Sequence, residues 1–244
     1  MVGIILQARM GSTRLTGKVL KKIGNKTILE HIFYRLTFLK YPVKTVLATS
    51  VEQKDDTLES FCKERGIECF RGSEKNVLER YYYCAKKYKF EHVVRLTGDN
   101  PFIDIEELNN LIELHLHIQS DYTHSRDVLP LGVGAEIFTF DAIEKSYKNG
   151  TKGNHREHVN EYITDNPLLF RIARLSVATE KRRPDIRLTV DTEEDYKKAC
   201  YICENAKGEF ITTQEDIALS EEYIRNNFIV QNKIISQWKI LNYE

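Results

Sequence analysis

The chain has almost no charge imbalance: its 244 residues contain 36 Lys+Arg and 36 Asp+Glu. This excludes the global basic field that supports non-specific nucleic-acid binding, and it excludes an acidic tail. Affinity for an anion must therefore be local. Cysteine is scarce, with Cys62, Cys69, Cys84, Cys200 and Cys203 forming an odd set without metal-ligand spacing. That excludes a disulfide framework and fits a reducing compartment. Cys200 and Cys203 make an isolated C-x-x-C inside a helical pattern and read as two packed thiols. Long apolar runs are also missing: nothing approaches the roughly 18 residues of a membrane span, and MVGIIL has no preceding basic region. A soluble, cytoplasmic protein is expected. There is no internal repeat, no low-complexity segment and no linker rich in Pro, Gly or Ser, so residues 1–244 are expected to form one domain with a sizeable core.

Short apolar runs alternate with helical patterns over the first half. VGIIL (2–6), VKTVLAT (43–49), GIECF (66–70) and HVVRL (92–96) read as strands. Ile28, Leu29, Ile32, Phe33 and Leu36 recur at helical spacing, as do Val77, Tyr81, Cys84, Ala85 and Tyr88. Thr27 with Glu30 and Asp104 with Glu107 have capping-box spacing and mark helix starts. The alternation predicts an α/β, Rossmann-like, doubly wound and mostly parallel sheet. Near residue 120 the rhythm changes. DYTHSRDVLPLGVGAEIFTF (121–140) is strand-like but interrupted by Pro130, Gly132 and Gly134, and a helix carrying HREHV (155–159) follows. LLFRIARL (168–175) and IRLTV (186–190) are further strand candidates; a helix begins near Thr192, and the chain is helical from Thr213. The expected organisation is a doubly wound half (1–120), an elaboration of the same domain (121–212) and C-terminal helices (213–244).

In such sheets ligands bind beyond the carboxyl ends of the strands, and the first βα loop is the usual phosphate site. The segment IILQARMGSTRLTGK (4–18) places Arg9, Arg14 and Lys18 there among Gly11, Gly17, Ser12 and Thr13. Glycines permit close backbone approach, and main-chain N–H groups with the hydroxyls can donate to phosphate oxygens. Lys18 precedes Val19 rather than a hydroxyl, and Thr13 stands where a dinucleotide loop needs glycine. Both the ATPase loop and the dinucleotide fingerprint are thereby excluded. Asp99 in TGDNP and Asp191 after IRLTV follow predicted parallel strands, so the fold should bring them to one rim. A hard divalent ion such as Mg²⁺ takes one or two carboxylates, with phosphate oxygens able to complete its shell. Each aspartate also has a plainer alternative, as a turn residue before Pro101 or as a helix N-cap.

QARMGSTRLTGKVL resembles the opening motif of sugar nucleotidyltransferases, and within them the CMP-KDO-synthetase-like cytidylyltransferases of the spore-coat polysaccharide SpsF type. FRGSEKNVLERY (70–81), VVRLTGDNPFID (93–104), GVGAEIF (132–138), REHV (156–159) and RLTVDTEEDY (187–196) match that family in order, over nearly the whole chain. One departure is Thr16, where the family usually has proline. The resemblance implies the nucleotide-diphospho-sugar transferase fold and transfer of CMP from CTP to a sugar, sugar acid or similar acceptor, with release of pyrophosphate. It makes Asp99 and Asp191 the Mg²⁺ ligands, and Lys18 and Arg14 the cations that act on the phosphates. The nucleotide-side candidates are Ala8, Arg9, Met10, Gly11, Ser12, Thr13, Arg71, Gly72, Ser73 and Thr97.

On the acceptor side the candidates are Glu136, His155, Arg156 and Arg187, because a helix corresponding to 155–158 closes the sugar site in related enzymes. His155 and His158 lack a third ligand of suitable spacing, so zinc is not expected. Arg95 lies inside a strand, where a charge is costly unless paired, and Asp99, a phosphate or another carboxylate could pair it. The expected partners are CTP and a small sugar-like acceptor, without nucleic acid or membrane, and a homodimer is an open expectation. A glycosyltransferase and a non-catalytic nucleotide-binding protein are the alternatives. Neither would release pyrophosphate.

Overall fold

The computed structural model describes residues 1–208 and 211–241, with side chains to residue 228. In chain order the elements are β1 (Val2–Gln7), the small strands β2 (Lys22–Ile23) and β3 (Lys26–Thr27), α1 (Ile28–Leu36), β4 (Lys44–Ser50), α2 (Asp56–Glu64), β5 (Glu68–Gly72), α3 (Val77–Tyr88), β6 (His92–Thr97), α4 (Ile105–Ile118), β7 (Tyr122–His124), β8 (Glu136–Thr139), α5 (Phe140–Asn149), α6 (Gly153–Glu157), α7 (Glu161–Asp165), β9 (Ile172–Arg174), α8 (Glu193–Asn205) and α9 (Thr213–Leu241). Seven strands join in the order β5-β4-β1-β6-β8-β7-β9. Only β8 runs against its neighbours; β5, β4, β1 and β6 are parallel, as are β7 and β9. The expected mostly parallel, doubly wound sheet is what forms.

Alternation along the strands builds a core on each face. Ile4, Leu6, Val94 and Leu96 pack with α1, α2, α4, α8 and α9, while Ile5, Val93 and Phe138 pack with α3, α5 and α7. Residues such as Ile4, Ile5 and Leu6 are fully buried, and each such side chain contributes about 1.5–3 kcal/mol. The helix starts follow their caps. Thr27 and Glu30 exchange both bonds of a capping box at α1, Asp104 accepts from the Glu107 N–H at α4, and Thr192 with Asp195 forms a second box at α8.

Three expectations change. IRLTV (186–190) is not a sheet strand; it makes a single bridge, Leu131 to Arg187, and its N–H groups bond to loop carbonyls. The cause is Gly132, held at φ 97° with Thr189 N only 2.6 Å from where a Cβ would stand, so the segment lies across a turn rather than beside a strand. LLFRIARL yields only the three residues of β9, because Pro167 opens a short 3₁₀ turn over Pro167–Leu169. The helix expected over HREHV stops at Glu157, and His158 is extended. Helix is present from Thr213 to Leu241; residues 209–210 and 242–244 lie outside the described ones. Among the described residues no helix is long and apolar enough to cross a membrane.

Candidate active site

The carboxyl ends of β1 and β6 form the floor of a cleft of about 630 Å³. The turn after β6 rests directly on the end of β1: the Gly98 N–H donates to Gln7 O at 2.7 Å, and a Cβ on Gly98 would stand 2.9 Å from that of Ala8. Only glycine permits that approach, which seats Asp99 beside the first loop.

The loop itself is fixed from below by a residue the sequence did not single out. Fully buried Asp55 accepts from the Met10 N–H at 2.7 Å with one oxygen and from Ser50 Oγ and N with the other. Met10 O in turn accepts from the Ser12 and Gly17 N–H groups. Met10 thus serves the loop through its backbone, while Ala8, Arg9, Gly11, Ser12, Thr13, Arg14 and Lys18 line the cleft. Three of the cations that face that space, Arg9, Arg14 and Lys18, belong to this loop.

Lys18 joins the two predicted aspartates. Its Nζ donates to Asp99 Oδ2 and to Asp191 Oδ1, each at 2.7 Å. Thr97 Oγ1 donates to the other Asp99 oxygen at 2.7 Å, and Arg14 Nη2 lies 3.2 Å from Asp191 Oδ1. Asp191 reaches this point by an unexpected route: the Val190 N–H donates to the carbonyl of Asp99 itself at 2.9 Å. The helix N-cap is Thr192, so Asp191 is not consumed as a cap. Arg187, expected on the acceptor side, does not line the cleft. It lies behind Asp191, bonded to that carboxylate and to Asp195 Oδ1 at 3.0 Å, and Asp195 also accepts the N–H groups of Asp191 and Thr192. Burial pushes the Asp191 carboxyl up, but Lys18, Arg187 and Arg14 outweigh it and hold it below the ordinary carboxylate value.

Other predicted residues stand elsewhere. The Arg71 guanidinium is spent on Asp56 and Glu59, each at 2.7 Å, and on the carbonyls of Ser50 and Glu52, so it ties β5 to α2. Gly72 packs against Phe70 and Arg80, and Ser73 caps the turn before α3 by accepting from the Asn76 N–H. Glu74, Lys75 and Val77 line the cleft where 71–73 were expected to. His155 is buried against Tyr162 and bonded to Asp165 at 2.9 Å, Arg156 is exposed outside the cleft, and Glu157 and His158 line it instead. Glu136 is buried and holds Arg95 at 2.6 Å, which decides among the partners left open for that arginine. A strand-interior arginine was the sequence signal for this pair; nothing in the sequence marked Glu157 over its neighbours.

The fold and sequence have close counterparts. The chain is 42% identical over 193 residues to an uncharacterised protein of Methanocaldococcus jannaschii, covering 79% of each. It is 40% identical over 204 residues to the spore coat polysaccharide biosynthesis protein SpsF of Bacillus subtilis, covering 81% of this chain and 85% of that one. A solved cytidylyltransferase from Leptospira borgpetersenii superposes with a TM-score of 0.84 at 34% identity, over 95% of this chain and 97% of the other. Residues 3–217 match the sequence model of the cytidylyltransferases, and the chain belongs to that family of nucleotidyltransferases.

Proposed function

We propose that the protein is a Mg²⁺-dependent cytidylyltransferase of the cytoplasm that joins CMP from CTP to a sugar-like acceptor and releases pyrophosphate, in the synthesis of a surface polysaccharide or glycoconjugate. The observation that carries the reading is the convergence of Lys18, Asp99 and Asp191 beneath a loop that offers Arg9, Arg14, Ser12 and Thr13 to the same cleft. Residues 1–120 then serve the nucleotide and residues 121–212 the acceptor, within one working unit. The relation to a polysaccharide biosynthesis protein supports the acceptor class.

Asp99 and Asp191 fit a hard divalent ion. Two carboxylates from distant parts of the chain already converge on one cationic point, and Mg²⁺ needs no more than one or two carboxylates when phosphates complete its shell. When bound, the ion supplies charge screening that lets an acceptor oxygen approach the α-phosphorus. The loop N–H groups, Arg9 and Arg14 hold the triphosphate in line with the acceptor. Lys18 neutralises charge on the leaving pyrophosphate as the α–β bond breaks and the new bond to the acceptor oxygen forms. Thr97 and Arg187 keep the two carboxylates oriented.

Thermal unfolding with each nucleoside triphosphate and Mg²⁺ tests the reading, because a ligand bound to the native state raises the apparent stability. CTP should give the largest shift and support pyrophosphate release with an acceptor. Equal shifts with ATP, GTP, UTP and CTP would remove the cytidine assignment.

A further inference from the structure

Lys18 stands where two roles compete. Charge neutralisation on the pyrophosphate needs its ammonium at the phosphates, yet the same Nζ donates to Asp99 Oδ2 and to Asp191 Oδ1, each at 2.7 Å. A Mg²⁺ ion held by that pair of oxygens lies about 2.0–2.1 Å from each. Ammonium and ion would both fall between the same two oxygens, so each excludes the other.

The neighbouring donors strengthen the exclusion. Thr97 Oγ1 donates to Asp99 Oδ1, Arg187 Nη2 donates to Asp191 Oδ2, and Arg14 Nη2 lies 3.2 Å from Asp191 Oδ1. Every oxygen of the two carboxylates thus has a donor, and their two negative charges already face three cations, of which Arg187 is shared with Asp195. A bare divalent ion gains little there unless Lys18 leaves. Leaving is also costly, because the Lys18 side chain is only 10% exposed and the loop beside it brings the like charges of Arg9 and Arg14. A triphosphate changes both sides of this balance. Its oxygens offer Lys18 a new anionic partner and neutralise the two arginines, which releases the carboxylates to the ion.

We propose that Lys18 is a built-in occupant of the divalent-ion site, which keeps Asp99 and Asp191 closed to a bare cation and gives them up only when the nucleotide's phosphates take its ammonium. Metal and nucleotide then enter as a pair, each raising the affinity for the other by the same factor. This rests on the metal reading of the two aspartates and adds to it an order of loading. A lysine suits the role, being a compact charge on a flexible four-carbon stem. The base of the stem is fixed: Gly17, at φ 64°, donates its N–H to Met10 O, and the Lys18 N–H donates to Leu15 O at 3.2 Å. Only the side chain needs to move.

The test measures binding of Mn²⁺, as the probe for the divalent ion, to the full chain by loss of the free-ion paramagnetic resonance signal. Without nucleotide the wild type should bind it weakly, and Lys18→Met should bind one ion about tenfold or more tightly, because a like charge at contact distance has been removed. Lys18→Arg should stay weak. Adding Asp191→Asn to Lys18→Met should abolish the gain, which places it at this site. With CTP present, wild type and Lys18→Met should retain Mn²⁺ equally well. Thermal unfolding checks that each variant is folded, and Lys18→Gln gives the same reading if the methionine variant is not. Lysine variants that bind Mn²⁺ no more tightly than wild type, a gain that survives Asp191→Asn, or a difference that persists with CTP would each overturn the proposal. In the wild type alone, Mn²⁺ bound as tightly without CTP as with it would do the same. A wild type that takes no Mn²⁺ even with CTP would overturn the metal reading itself, and the proposal with it.

Discussion

Among the described residues two lysines bridge carboxylates from separate positions, and they do different work. Lys18 lies between Asp99 and Asp191 at the cleft; Lys181 lies between Asp104, Glu106 and Glu107, at 3.0, 2.6 and 3.0 Å, where α4 begins. The Lys18 carboxylates keep 25% and 18% of their side-chain surface exposed, whereas of the three at Lys181 two, Asp104 and Glu107, keep 6% and Glu106 keeps 75% at the surface. Asp104 is further committed to the α4 cap and to Thr213 Oγ1 at 2.6 Å, which ties α9 to the same point. The ion pairs are chemically alike. What separates them is whether the carboxylates retain an open side toward a space that a ligand can fill.

The comparison breaks if Lys181 can be lost cheaply. Lys181→Met leaves buried carboxylates without their cation and should cost about 3–5 kcal/mol of stability, with near-normal specific activity in the folded fraction. A Tm close to wild type in thermal unfolding would show that the sealed bridge is as dispensable as a surface pair. On the cleft side the effects should be in rate. Asp99→Asn, Asp191→Asn and Lys18→Ala should each lower turnover about a hundredfold or more while leaving Tm little changed, by analogy with the removal of one preorganised transition-state donor. Nucleotide titrations with and without Mg²⁺ separate them: the aspartate variants should lose the metal-dependent part of binding, and Lys18→Ala should keep it. An aspartate variant with normal turnover at limiting Mg²⁺ would return that residue to a purely structural role.

The smallest effect concerns pH. Burial raises the pKa of Asp195, but Arg187, the Asp191 and Thr192 N–H groups and the Thr192 hydroxyl together hold it below the ordinary carboxylate value. A carboxyl lowered in the folded state contributes stability that is fully present above its ordinary pKa and is lost as pH falls through the lowered one. Lys181 is the reverse case: burial pushes it down, yet the three carboxylates raise it above the ordinary lysine value, so its contribution disappears as pH rises through that raised value. Tm measured against pH should therefore show an acid limb that Asp195→Asn flattens and an alkaline limb that it leaves intact. An acid limb unchanged by Asp195→Asn would detach the support behind Asp191 from folding stability.

The part of the cleft formed by the first loop was the more legible because its residues are local in sequence. A buried strand followed by glycines, hydroxyls and three cations states its position and chemistry within fifteen residues. Asp99 was readable for the same reason, as the turn that ends β6. Asp191 does meet Asp99 as expected, but by another route, since IRLTV has the composition of a strand and Gly132 and the Asp99 carbonyl decide that it crosses a turn instead. The remaining candidates, nucleotide-side Arg71 and acceptor-side Glu136, His155 and Arg187, were poorly legible. Arg71, Glu136, His155 and Arg187 are all polar residues at plausible positions, and each is spent on a partner far away or hidden behind another group.

The sequence by itself determined the alternation of strands and helices, the helix caps and the chemistry of the first loop, because these depend on side-chain periodicity and contacts within a few residues. Tertiary structure alone decided which polar side chains face the cleft. A charged residue keeps a face toward open space only where its partners leave one uncovered, and those partners come from strands and helices that meet only in the folded sheet. Thus Glu136 was claimed by Arg95 and Tyr122, His155 by Asp165 and Arg71 by α2, while Glu157, His158 and the remaining edge of Arg95 were left to line the cleft.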